Sequence, residues 1–385
     1  MSDASQPSAA DSSPPADPGT PAVCPITWDF LPPNMRKHVD PKAPPPLRMM
    51  AAKGLVPLSP SDMIGALYML TFDLEAGVRE TAAKTLTSLP DRLLGTALRD
   101  EEIKPQVLSH CLEAFASRDD YVELLILNAG TPDDAVAKIA GNCQLRIAEI
   151  IGQNQLRILR HDDILRNLCR NPNVLASVID GVCDFAVRNG MVLADVPQMQ
   201  EARVRVFGPQ ALQKPPDLGP TALEVVTENA ELRDEDAPPV EEGKRLTLSQ
   251  RVSKMSVSEK IKLATLGNKE ARGLLMRDTN RLVAVAVIRS PRLTDGEVLT
   301  VANNRAVIED VLRVIYNNRE WTKNYALRLA LVKNPKTPLA ISMRYLSGMR
   351  ESDVVSLARN KNIPSGIQVL AKKMMDKKNA PNRER

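Results

Sequence analysis

The chain has 385 residues, room for two or three ordinary domains, and is 43% hydrophobic but only 3% aromatic; a core of Leu, Ile, Val, Ala and Met suits thin helical layers better than a β-sandwich, so the composition predicts an all-α fold. Five cysteines (Cys24, Cys111, Cys143, Cys169, Cys183) are odd in number and form no CxxC pair, which argues against a disulfide framework or a zinc site and fits a reducing cytoplasm. The net charge of +4 hides a polarity: residues 246–385 carry 27 Lys and Arg against 12 Asp and Glu, a surplus of +15 that leaves −11 for the rest.

Residues 1–58 form the expected disordered, Pro-rich leader. The first 23 hold no Lys or Arg and no apolar stretch, so they make no secretory signal, and their Ser, Pro, Ala and Asp bury too little surface to offset the entropy of ordering. Beyond Cys24 the prolines continue, yet Trp28, Phe30 and Leu31 offer an extended strip that can lie on a neighbouring helix. No run of the chain reaches the roughly 18 apolar residues that span a bilayer. A soluble, cytoplasmic protein with no membrane partner is expected.

An N-terminal helical array is expected over 59–190. It opens at Ser59-Pro60-Ser61-Asp62, where Ser59 can cap, Pro60 suits the first helical position and Asp62 favours the positive helix start. Between 191 and 245 the helical periodicity fails, and prolines punctuate an increasingly acidic linker; Thr221 to Glu242 holds eight acids against Arg233 alone. A short strand or helix is expected there at Ala202 to Val206. A basic C-terminal array follows over 246–376, with a capping-box spacing at Ser256 to Glu259, and residues 377–385 end the chain as a basic tail.

A short phrase recurs between apolar runs: Asn128-Ala129-Gly130-Thr131-Pro132, Arg170-Asn171-Pro172, Arg289-Ser290-Pro291 and Lys333-Asn334-Pro335-Lys336-Thr337-Pro338. Val283 to Pro291 aligns with Leu327 to Pro335 at an offset of 44, and related turns at Asn304-Arg305, Asn318-Arg319 and Asn360-Lys361 give a unit of about half that length. Asn or Ser can end a helix in the left-handed conformation or by local side-chain bonding, and Pro prevents continuation. Thr131-Pro132 and Thr337-Pro338 then place a cap before a first-turn proline, and Thr294 to Glu297 spells a capping box. The phrase, above all Ala330 to Pro338 with Ala340, Ile341 and Leu346, resembles the leucine-rich repeat variant family, relatives of HEAT and armadillo solenoids, most strongly over the C-terminal array. The resemblance implies a curved helical solenoid. It implies no cofactor here, because the cysteine cluster that accompanies an iron–sulfur centre in some relatives is missing.

Catalytic signals are poor. His38, His110 and His161 stand apart from any nucleophile signature, and no Walker loop, GxSxG elbow or strand-placed GxGxxG is present. The better candidates are the cations at the recurring turns, Arg289, Arg305, Arg319, Lys333, Arg359 and Lys361, which line one edge if the units stack in register. Trp321 and Lys323 join them, because an aromatic among cations can anchor a peptide or stack on a base. The expected function is a non-enzymatic, helical-repeat scaffold or adaptor that binds an acidic protein partner, with a nucleic-acid-binding module as the alternative. The acidic segment 221–242 is a candidate to mask the basic edge.

Overall fold

The structure, a computed structural model, describes residues 23–212, 219–231 and 247–379, which hold 24 α-helices, three short 3-10 helices and no strand. The all-α expectation holds. The chain divides after Ile139 into two compact units, and among the described residues no helix is long and apolar enough to cross a membrane.

The first unit begins inside the stretch expected to be disordered. Two 3-10 turns, Trp28–Phe30 and Arg36–His38, lead to helix α1 (Pro45–Ala52), which tolerates Pro45 and Pro46 because first-turn amides need no partner within the helix. Leu31, Ala51 and Ala52 are buried. The Phe30 ring covers Gly65 of helix α2 (Pro60–Leu70), where any Cβ would come within 2.6 Å of it. Arg48 makes a buried ion pair with Asp73. A disordered leader is therefore corrected from residue 23 onward: few apolar groups are present, but Phe30 lies on α2 and Ile26, Leu31, Val39, Ala51 and Ala52 are buried. Residues 1–22 lie outside the described residues.

Helix α2 starts as its sequence predicts, with the Ser59 hydroxyl accepting from Asp62 N at 3.2 Å and Pro60 in the first turn. It buries every residue from Met63 to Leu70, and α1, α3 (Ala76–Ser88), α4 (Asp91–Ala97) and α5 (Pro105–Ala114) pack around it. Each fully buried Leu or Ile contributes about 1.5–3 kcal/mol, so this one helix organises the unit. Helices α6 (Asp119–Leu127) and α7 (Asp133–Ala140) follow.

The second unit opens with α8 (Leu145–Gln153), α9 (Gln155–Arg160), α10 (Asp162–Arg170) and α11 (Ala176–Arg188). Of the expected linker, residues 191–212 and 219–231 are described. Helix α12 (Pro197–Phe207) packs on α11 with Met199 and Ala202 buried; it contains the short element expected at Ala202 to Val206, as a helix and longer. Helix α13 (Ala222–Glu231) docks through Ala222 and Val225 on α15 (Val257–Leu266), just past α14 (Leu248–Lys254). The acids between 232 and 242 lie outside the described residues.

The two expected arrays also meet across that segment: α9 packs on α15, Ser258 Oγ donates to Leu159 O at 3.0 Å, and Lys262 pairs with Asp162 at 2.9 Å. Ser256 caps α15 at Glu259 N, but the Glu259 carboxylate turns away to Ala222 N at 2.8 Å, so only half of the expected capping box forms. Beyond lie α16 (Lys269–Leu275), α17 (Arg281–Ile288), α18 (Asp295–Asn303), α19 (Glu309–Asn317), α20 (Arg319–Lys323), α21 (Tyr325–Lys333), α22 (Leu339–Leu346), α23 (Glu351–Arg359) and α24 (Ser365–Asn379). They pack alternately, α15 on α17, α17 on α19, α18 on α21 and α22 on α24, around Ile288, Ala302, Leu312, Ile315, Leu331, Val332, Leu346, Leu357 and Ile367. Helix α24 runs to Asn379, into the expected tail; residues 380–385 lie outside the described residues.

Candidate functional site

The recurring turns are built on asparagine amides that reach sideways. Asn334 is buried, and its Nδ2 donates to Ala302 O at 2.8 Å and Asn304 O at 3.1 Å, while its Oδ1 accepts from Lys336 N at 3.0 Å. Asn128 makes the same three bonds, to Leu98 O, Asp100 O and Gly130 N, and so does Asn171, to Ala140 O, Cys143 O and Asn173 N. One side chain thus closes its own turn and fastens it to the turn 28 to 32 residues earlier. That interval is longer than the half of 44 expected from the alignment. None of these asparagines is left-handed; Asn334 has φ −79° and ψ 122°, and no non-glycine residue described has positive φ.

The Thr-Pro restart also differs from its expectation. The Thr131 hydroxyl donates backward to Leu125 O at 2.5 Å, and Thr337 is buried with Pro338 at the N-cap of α22. The Thr337 hydroxyl has no partner among the described residues and does not cap α22. Thr294 and Glu297 do form the expected reciprocal box.

The second residue after the Asn or Ser makes a further lateral bond that the sequence did not reveal. Lys336 Nζ donates to Ala306 O at 3.0 Å, Arg292 Nη1 to Leu266 O at 2.7 Å, and Asn173 Nδ2 to Cys143 O at 3.4 Å. Lys336 and Arg292 were not among the candidate cations, because a surface lysine or arginine carries no mark of a carbonyl waiting beside it.

These bonds divide the candidate residues between two ends of the helices. Turn 334–336 is bonded to turn 304–306, which Arg305 Nη2 joins to Asn362 O at 2.9 Å. Arg305, Lys333, Arg359 and Lys361 therefore gather at one end, together with Lys336. Helix α18 leads from turn 290–294 to turn 304, and α19 leads from there to Asn318; nine residues of helix span about 13 Å. Arg289, Arg319, Trp321 and Lys323 consequently lie at the other end. A single edge carrying the six turn cations is corrected to two, because the 44-residue offset equals about one and a half of the stacking intervals.

The two groups differ in part: Arg289 and Arg319 are as exposed as the cations of the other end, and the contrast lies in Trp321 and Lys323. At the Asn334 end Arg305, Arg359 and Lys361 are exposed and Lys333 is half-buried, and none pairs with a described carboxylate. At the Ser290 end Lys323 is neutralised by Glu320, and Trp321 is half-buried against the core with Tyr316. The neighbouring tyrosines are engaged as well. The Tyr325 hydroxyl donates to Asp353 and accepts from Arg350 N, and burial and Asp353 together raise its pKa; Tyr345 donates to Tyr316 O at 3.3 Å. This end is anchored by Arg272, buried, which pairs with Glu297 at 3.0 Å and donates to Gly267 O.

The histidines contribute no shared centre. His38 approaches Leu47 O through Nδ1 at 3.3 Å, His110 packs edge-on to Tyr68 with its pKa lowered by burial, and His161 sits at the N-cap of α10. Among the described residues no three His, Cys, Asp or Glu side chains gather as a metal site. No family model, curated protein or solved structure matches this chain.

Proposed function

We propose that the chain is a helical-repeat scaffold of the HEAT-like, leucine-rich-repeat-variant kind, two helical arrays in contact through α9 and α15, that binds an acidic protein partner at the Asn334 end of its C-terminal array. The reading rests on one observation: three turns fastened to one another by Asn334, Lys336 and Arg305 bring Arg305, Lys333, Arg359 and Lys361 together without a described acid to neutralise them. Fixed spacing on rigid helix ends makes such cations a surface of defined pattern, and extended surfaces are how stacked repeats work. A non-enzymatic role in the cytoplasm fits this reading.

The test compares the full chain with two charge-reversed forms, K333E/R359E/K361E and R289E/R319E, by fluorescence anisotropy against a labelled polyglutamate peptide and a single-stranded oligonucleotide of matched charge. Three rim contacts of about 0.2–1 kcal/mol each predict a roughly three- to hundredfold loss of peptide affinity in the triple variant and little change in the double. Equal loss in both variants removes the assignment to the Asn334 end. Tighter binding of the oligonucleotide, with a steep salt dependence, moves the function to nucleic acid.

A further inference from the structure

Two of the five cysteines meet in space. Cys169, near the end of α10, and Cys183, in the middle of α11, lie 14 residues apart in sequence with Sγ···Sγ at 3.8 Å. Cys183 is fully buried and Cys169 is half-buried. The turn between them holds Asn171, whose amide fastens it to Ala140 O and Cys143 O. The pair differs from the remaining thiols. Cys111 is enclosed, and burial pushes its pKa up to about 12; burial also raises Cys24; Cys143 directs its sulfur to Ala140 O and receives the Asn171 amide at 3.5 Å. At Cys169 the balance runs the other way: a hydrogen bond from Cys183 and the charge of Arg170 outweigh burial and favour the thiolate, while Cys183 is driven strongly towards its protonated form.

We propose that Cys169 and Cys183 form a peroxide-oxidisable dithiol in which Cys169 reacts first and Cys183 resolves it. The Cys169 thiolate attacks one oxygen of hydrogen peroxide, the O–O bond breaks, and Cys169 becomes a sulfenic acid as hydroxide leaves. The Cys183 sulfur then attacks the Cys169 sulfur, the S–O bond breaks, and the departing hydroxyl takes the Cys183 proton and leaves as water; the proton that Cys169 released in forming its thiolate neutralises the hydroxide from the first step. Two thiols and one peroxide give one disulfide and two waters, with two electrons passing from the sulfurs to oxygen. The sulfurs need to close from 3.8 Å to about 2.0 Å, a movement that side-chain rotation and a slight slide of α11 on α10 supply. Half-burial of one partner and full burial of the other set the order of events, because only Cys169 meets peroxide from solvent. The product ties together both helices that flank the Asn171 clamp, and a dithiol reductant reverses it.

The experiment treats the reduced full chain with hydrogen peroxide, alkylates it under denaturing conditions and measures intact mass and peptide maps. The expected product has lost two hydrogens and two of its five free thiols, contains a single 169–183 cross-link and returns to five thiols with dithiothreitol. Cys183→Ser should lose the cross-link and leave a sulfenic acid at Cys169 that dimedone captures. Cys143→Ser should cross-link as the parent does. Retention of all five thiols by the parent chain, a cross-link mapped to another pair, or loss of two thiols in Cys183→Ser would each overturn the proposal, and the first two need no variant to fold.

Discussion

The turns at Ser290 and Asn334 share a sequence register and a backbone bond, Leu293 N to Ser290 O at 3.2 Å and Thr337 N to Asn334 O at 3.1 Å. They differ in how they are fastened sideways. Asn334 spans to two carbonyls of the earlier turn, whereas the shorter Ser290 side chain is buried with its Oγ unpartnered, and Arg292 makes the lateral bond instead. The turn's own shape is therefore set by local chemistry, while its attachment depends on whether a side chain is long enough to reach what has packed beside it. A buried amide with both donors and its acceptor satisfied is worth far more to lose than a hydroxyl that bonds nothing.

The largest effect expected from breaking this contrast is at the anchor of the Ser290 end. Arg272→Ala leaves Glu297 buried without its cation and should cost about 3–5 kcal/mol in urea unfolding of the full chain. Asn334→Ala orphans the buried Ala302 carbonyl and should cost about 1–3 kcal/mol in the same measurement. Ser290→Ala removes a hydroxyl without a protein partner and should change stability by less than about 0.5 kcal/mol; a loss as large as that of Asn334→Ala would show the two turns to be fastened alike.

Acid supplies an independent probe of the Ser290 end. Burial opposes ionisation of Glu297, but hydrogen bonds from Arg272 and from the Thr294 N–H and hydroxyl prevail and hold its carboxyl below the ordinary 4.5. A carboxyl depressed in the folded state stabilises above its unfolded pKa and ceases to do so as pH falls through the folded value. Stability should thus be level with respect to this group above pH 4.5 and decline below it. Glu297→Gln should flatten that part of the decline in a chemical-denaturation series over pH. A small effect is also expected at Lys336→Met, which deletes one exposed lateral bond and should cost less than about 1 kcal/mol.

Several parts of this architecture were legible in the chain itself. The low aromatic content indicated helices, Ser59-Pro60 marked a helix start and Thr294 to Glu297 marked another, because caps are formed by groups three residues apart and need no distant partner. The Pro-rich residues before Ser59 and the irregular stretch after Asn189 were less legible. Their order comes from Phe30 over Gly65, Arg48 against Asp73, and α13 against α15, contacts whose partners lie far along the chain.

The candidate site shows the same division. The sequence by itself determined the turn chemistry, the recurrence of Asn beside a cation, and the positive balance of the last 140 residues. Only the tertiary structure decided that Lys333, Arg359, Lys361 and Arg305 share one end while Arg289 and Arg319 occupy the other, and that Cys169 meets Cys183. The reason is geometric. A turn's conformation is fixed by bonds within a few residues, but which end of a helix layer it occupies depends on the number of helices intervening, and a repeat offset of 44 along the chain does not reveal whether that number is odd or even.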